Sequence, residues 1–271
     1  MKVTEATIER ATTKLDGNLA SKGGLYMSNG KVILIASGKG GTGKTVFTAN
    51  AGAILARKGY KVALLDMDMG LRNLDLCLGL EDKVVYDMVD VLTGLCRIKQ
   101  ALIKDKRFEN LYLMASPPSN KNVDITPLHM SVLYEKLREN FDYILVDAPA
   151  GIGDTVLMAT AGVDSAIIVT VPEHTAIRNA DTLYTLLKEH GVSNIKYVLN
   201  KVKGEIITTG LVPSINEIAG KLRADMIGII QYDETIHIAS NNGLPAVFKK
   251  GTYIEENFNK IADRMIKETV K

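Results

Sequence analysis

The chain has 271 residues, of which 46% are hydrophobic and 24% charged, the balance of a globular protein that closes a sizeable core without disulfides or a structural metal. A formal net charge of +2, with its charges interspersed, argues for neither nucleic acid nor acidic partners. Cys77 and Cys96 form no Cys-x-x-Cys pair, and no apolar run approaches the roughly 20 residues of a membrane span or begins a signal peptide, so a reduced, cytoplasmic protein is expected.

Residues 1–30 are polar, carry Gly17, Gly23, Gly24 and Gly30, and show one short helical pattern through Ile8, Ala11 and Leu15. They read as a loosely ordered extension, and Met27 is a plausible alternative start that the mass of the protein from its native host would test. From Lys31 onward, short apolar runs alternate with longer amphipathic stretches. Val32–Ala36, Val62–Leu65, Tyr143–Val146, Ala166–Val169 and Tyr197–Leu199 read as buried parallel strands, and Leu111–Met114 and Met226–Ile230 as weaker ones of the same kind. Helical spacing marks Val46–Lys58 with Gly59 beyond it, Ile177–His190 with Gly191 as its stop, and Tyr253–Val270 through Ile254, Phe258, Ile261 and Met265. Strands alternating with helices predict an α/β fold, a doubly wound and mostly parallel sheet with helices on both faces. No composition break follows Lys31, so residues 31–271 are expected to form one domain.

Between the first strand and the first helix lies Ser37-Gly-Lys-Gly-Gly-Thr-Gly-Lys-Thr45, which contains G-x-x-x-x-G-K-[ST] from Gly38 to Thr45. Glycines allow backbone N–H groups to converge on phosphate oxygens, and the following helix turns its positive end to the same anion. A P-loop holding ATP and Mg²⁺ is therefore expected on Gly38, Lys39, Gly40, Gly41, Thr42, Gly43, Lys44, Thr45 and Val46. Lys44 is expected to bridge the β- and γ-phosphates and the Thr45 hydroxyl to ligate the metal. Asp66 and Asp68 emerge where the second strand leaves the sheet, the side on which such sheets bind ligands. If the strand continued through both, they would share a face, Asp66 near the metal and Asp68 orienting the attacking water. Tyr143–Val146 followed by Asp147 has the form of a Walker B strand whose carboxylate holds Mg²⁺, with Pro149 and Gly151 shaping a turn beyond it. Asn200 follows a strand end at the same edge, where its amide is placed to read adenine. His129, His174, His190 and His237 show no metal-ligand spacing and read as surface or structural residues, and Arg178 and Asp181 as a solvated helix face.

Lys39, inside the loop, makes the sequence resemble the deviant Walker A motif of the MinD/ParA ATPases. The likeness extends from Lys31 to the end through Gly70-Leu-Arg-Asn-Leu-Asp75, Leu78-Gly-Leu-Glu81, Asp147-Ala-Pro-Ala-Gly-Ile152, Ala176-Ile-Arg-Asn-Ala-Asp181 and Ala239-Ser-Asn-Asn-Gly-Leu-Pro245. The Gly70–Asp75 string favours the MinD branch over ParA and the flagellar-number regulators. The resemblance implies an ATP-dependent homodimer in which Lys39 reaches the partner's nucleotide, Lys44 contacts phosphates, Thr45 holds Mg²⁺ and Asp68 positions water. It also implies a membrane-cycling role in septum placement, with a MinC-like inhibitor and a MinE-like or other positioning factor as partners.

Four features depart from that pattern: the first thirty residues have no MinD counterpart, Asn179 replaces an aspartate of the partner-binding segment, Gln231 replaces a proline beside the adenine site, and the chain stops at Lys271 without the basic membrane-targeting tail. Tyr253–Val270 accordingly reads as core packing, with any membrane association peripheral. A positioning ATPase for flagella or pili and a small-molecule ATP-dependent ligase on the same fold stand as the other readings. An electron-transfer protein with a cluster shared between subunits is set aside, because the segment after Asp147 has no cysteine.

Overall fold

The computed structural model describes residues 30–69, 71–118, 125–205, 209 and 212–269. The expected extension therefore lies outside the described residues except for Gly30, as do Gly70, Val270 and Lys271. The chain runs β1 (Lys31–Ser37), α1 (Lys44–Arg57), β2 (Val62–Asp66), α2 (Leu74–Cys77), α3 (Met88–Leu92), α4 (Ile98–Ala101), β3 (Leu102–Lys104) and β4 (Leu111–Met114). It continues through α5 (Pro127–Arg138), β5 (Tyr143–Ala150), α6 (Asp154–Ala159), β6 (Ser165–Thr170), α7 (His174–Glu189) and β7 (Asn194–Val202). The last elements are α8 (Ile215–Lys221), β8 (Met226–Gln231), α9 (Glu234–Asn241) and α10 (Tyr253–Thr269).

One eight-stranded sheet has the order β3-β4-β2-β5-β1-β6-β7-β8. Its pairings are parallel except for β3, which runs antiparallel to β4 at the edge. Alternation along each strand divides the core. Val32, Leu34 and Ala36 of β1 face α5 and α7, whereas Ile33 and Ile35 face α1 and α10. Both faces are covered, which is why the central strands are apolar throughout. The expected doubly wound, mostly parallel α/β sheet is the one observed.

Register carries this alternation to the ligand edge. β2 and β5 pair with Leu64 opposite Leu145 and Asp66 opposite Asp147, so the two carboxylates are neighbours on the α1 side of the sheet. The β2 strand stops at Asp66, so the period-two argument does not carry on to Asp68, which sits in the following loop. The β7 strand continues through Asn200 to Val202, so Asn200 lies within it rather than after it.

The amphipathic stretch at the C-terminus is a core helix. Ile254, Phe258, Ile261, Ala262 and Met265 of α10 are buried in the cluster that also holds α1. Gly228 on β8 permits a close approach of this helix: a Cβ there would lie 2.3 Å from Cγ1 of Ile261.

Candidate nucleotide site

The loop between β1 and α1 is shaped by its backbone. Gly41 (φ 79°) and Gly43 (φ 87°) take left-handed conformations that disfavour side chains. Gly43 is fixed twice, because a Cβ there would also lie 2.4 Å from Nδ2 of Asn200. The loop is tied down from outside. Asn200 Nδ2 donates to the Thr42 carbonyl at 2.8 Å, Lys201 Nζ to the Gly41 carbonyl at 2.7 Å, and Asn179 Nδ2 to the Gly38 carbonyl at 3.2 Å. Lys201 itself has φ 56°, an uncommon conformation for a side-chain-bearing residue.

The amide of Asn200 thus braces the phosphate loop, a role its expected reading of adenine did not include. Asn179, the departure noted in the sequence, can make its contact only because it is an amide; an aspartate has no N–H to offer the Gly38 carbonyl.

Beneath the loop, Lys44 and Asp147 form a buried ion pair. Lys44 Nζ lies 2.9 Å from Asp147 Oδ1, with side-chain exposures of 6% and 1%. The Thr48 hydroxyl donates to the same oxygen at 2.9 Å, and Lys44 Nζ is 3.4 Å from Thr45 Oγ1. Thr48 stands one helical turn after Lys44, so its spacing could have placed it in the site from sequence. Asp147 Oδ2 is buried with no hydrogen-bond partner, as is Thr42 Oγ1. A buried carboxylate oxygen in that state is costly unless a cation or a bound water meets it, and the Lys44 ammonium links its carboxylate to the Thr45 hydroxyl. These donors fit a hard, oxygen-loving cation such as Mg²⁺, with phosphates and water completing its shell.

Asp66 accepts from the backbone N–H of Asp68 at 2.9 Å and of Leu74 at 3.2 Å, so it organises the loop leaving β2. Burial, followed by the negative charge of Asp147, pushes its carboxyl up to about 7. Asp68 is half-buried; desolvation also raises its carboxyl, against the pull of Lys44. Asp68 borders an open cavity of about 830 Å³ together with residues 40–46, Cys77 and Ser240–Gly243. That cleft lies at the C-terminal ends of the parallel strands, as the sheet topology requires.

Lys39 contrasts with Lys44. Its ammonium stands outside the cleft floor, 2.6 Å from Glu173 Oε2, with side-chain exposures of 42% and 54%. Glu173 immediately precedes α7 and gives no sequence signal of this contact.

Of the other residues considered, Asp181 pairs with Arg223 and Arg178 is exposed. His129 is buried as part of the α5 capping box, its Nδ1 accepting from the Thr126 N–H. Cys77 and Cys96 are free thiols. Among the described residues no helix is long and apolar enough to cross a membrane.

A strand–glycine loop–helix with a buried lysine on a Walker B aspartate, and a second lysine within the loop, defines a P-loop NTPase of the ParA class. The ParA family model, described as an NUBPL iron-transfer P-loop NTPase, matches residues 28–266. The septum site-determining protein MinD of Bacillus subtilis (strain 168) is 40% identical over 243 residues, 89% of this chain and 91% of that protein. The MinC:MinD cell division complex of Aquifex aeolicus contains a chain with a TM-score of 0.80 and 39% identity, covering 88% of this chain and 96% of that one. MinD of Pyrococcus horikoshii in complex with Mg-ADP matches with a TM-score of 0.77 and 29% identity, covering 88% and 96%. The chain belongs to the MinD family, ATPases of division-septum placement.

Proposed function

We propose that this chain is an ATP-operated dimerisation switch for septum placement, with Lys44 serving its own nucleotide and Lys39 the partner's. The observation that carries the division of labour is the contrast between the two ammonium groups. Lys44 is buried on Asp147, whereas Lys39 is exposed and held by one exposed carboxylate. A buried, paired lysine suits a fixed phosphate contact. An exposed one can leave Glu173 at little cost and reach across an interface.

In this reading the loop N–H groups from Gly38 to Val46 bind the phosphates, and Lys44 bridges the terminal two. Thr45, Asp66 and Asp147 would hold Mg²⁺, which would supply charge neutralisation on the phosphate oxygens. Asp68 borders the open cleft and orients the attacking water, and Lys39 from the partner stabilises charge gathering on the transferred group. Asn200 keeps the loop in shape and reads the adenine edge through its amide.

The Aquifex relative in complex with MinC supports a MinC-like partner for this chain, and a MinE-like or other positioning factor would set its timing. Asn179 favours a second reading of the partner side. Its amide is engaged with Gly38, so the α7 face offers Arg178 without the usual neighbouring carboxylate, and a cargo other than MinC would need to match that. The reading places the protein in the cytoplasm, meeting the inner face of the cell membrane peripherally.

Co-sedimentation with a MinC protein and with anionic liposomes, in ATP and in ADP, tests the assignment. ATP-dependent capture of MinC supports septum placement. Normal ATP turnover with no response to MinC assigns the engine to another cargo, and turnover that needs an added small acid assigns it to a ligase.

A further inference from the structure

At the opposite end of the sheet from the phosphate loop, where β2 and β5 begin, a cavity of about 200 Å³ opens between α4 and α5. Its walls are apolar: Ile98, Leu102, Tyr112, Leu137 and Phe141, with Tyr112 and Phe141 meeting edge to face at 5.4 Å. Its charged groups are all lysines, Lys61, Lys99 and Lys136, joined by the Asn140 amide and the Tyr112 hydroxyl.

Lys61 is the unusual member. Its ammonium lies over the rings of Phe141 (5.1 Å) and Tyr112 (5.9 Å), and Lys104 stands over the same Tyr112 ring at 5.9 Å. Two ammonium groups on one ring repel each other. Two acids stand near this group: Asp142, which accepts the backbone N–H of Lys61 at 2.7 Å, and Glu139, which pairs with Lys136 at 3.1 Å. Desolvation holds the Lys61 ammonium below its ordinary range, with Asp142 pulling the other way and Lys104 adding to the desolvation.

From this arrangement we infer that the cavity binds a small organic anion, an apolar body of single-ring size carrying one carboxylate. The size follows from the volume, since a dry apolar cavity of about 150 Å³ accepts benzene. The charge follows from the lysines, whose approach an anion would relieve while donating amides and ammoniums meet its oxygens. An apolar lining favours a ligand that buries a ring or short branched chain over one that brings only a polar headgroup.

The test titrates benzoate, and benzyl alcohol as its neutral counterpart, into ADP-saturated protein while amide resonances are followed by NMR. Benzoate should give saturable shifts confined to Lys61, Lys99, Tyr112, Asn140 and Phe141, and benzyl alcohol should bind at least about tenfold more weakly. Lys61→Met and, separately, the exposed Lys99→Met should each weaken benzoate by about tenfold while leaving ADP binding unchanged. Equal binding of the alcohol, shifts scattered over the surface, or benzoate affinity unmoved in both variants would overturn the inference. So would a lysine effect seen only on anionic phosphatidylglycerol vesicles, which would make the patch a lipid-facing surface instead.

Discussion

Removing the Lys44 ammonium should destabilise the nucleotide-free protein severely, and a second substitution should restore it. The Lys44–Asp147 pair is 6% and 1% exposed at 2.9 Å, so Lys44→Met leaves a carboxylate in the core whose remaining partner is the Thr48 hydroxyl. Breaking such a pair from one side costs about 3–5 kcal/mol, because the remaining charge is uncompensated. The register makes matters worse here, since Asp66 stands opposite Asp147 and would lose the same ammonium's attraction. Asp147→Asn alone leaves the lysine unpaired at a comparable cost. Lys44→Met with Asp147→Asn removes both charges and should return stability to within about 1 kcal/mol of wild type, since neutral replacements for buried pairs are commonly tolerated. Urea unfolding of metal-free, nucleotide-free protein at pH 8 measures all four members of the cycle. A single-variant loss below about 1 kcal/mol, or a double variant equal to the sum of the singles, would refute the reasoning.

Three further outcomes follow from the same geometry. Asp66 titrates near 3.8 in an unfolded chain and at about 7 here, so between those values the folded protein holds a proton the unfolded chain has lost. Stability of the metal-free protein should therefore fall as pH rises from about 4 to about 7, by up to roughly 4 kcal/mol, and Asp66→Asn should flatten that slope in pH-dependent unfolding. Lys39→Ala removes an exposed pair, so its unfolding midpoint should match wild type to within about 1 kcal/mol even if function is lost. Gly228→Ala forces a methyl against buried Ile261, which should cost about 1–3 kcal/mol in thermal or urea unfolding, partly recovered by Ile261→Ala.

The central strands were legible because burial on both faces made them apolar runs. β1, β2, β5 and β6 fall within a few residues of their predicted positions, and the three long helices within about one turn. The weaker runs Leu111–Met114 and Met226–Ile230 are also strands, β4 and β8, and only elements without such a run escape the sequence. The three-residue edge strand β3 is too short to show periodicity, and α5 was not recognised although Thr126, Pro127 and His129 supply its cap. Polar Asn200 and Lys201 hid the continuation of β7.

The phosphate loop, Asp66, Asp68 and Asp147 were legible as motifs, but their relation was not. Asp66 meets Asp147 only because β5 inserts beside β2, a matter of strand order that no local signal encodes. Contacts such as Lys39 with Glu173 and Asn179 with Gly38 join residues more than 130 positions apart, and likewise belong to topology rather than to motif.

Sedimentation velocity of wild type and Lys39→Ala, each with Mg-ATP and with Mg-ADP, separates an ATP-operated dimer from a monomeric ATPase. Wild type should be a dimer in ATP alone, with Lys39→Ala remaining monomeric in both nucleotides while still binding ATP through the intact Lys44–Asp147 site. A wild-type monomer that hydrolyses ATP at a rate indifferent to Lys39 would contradict it.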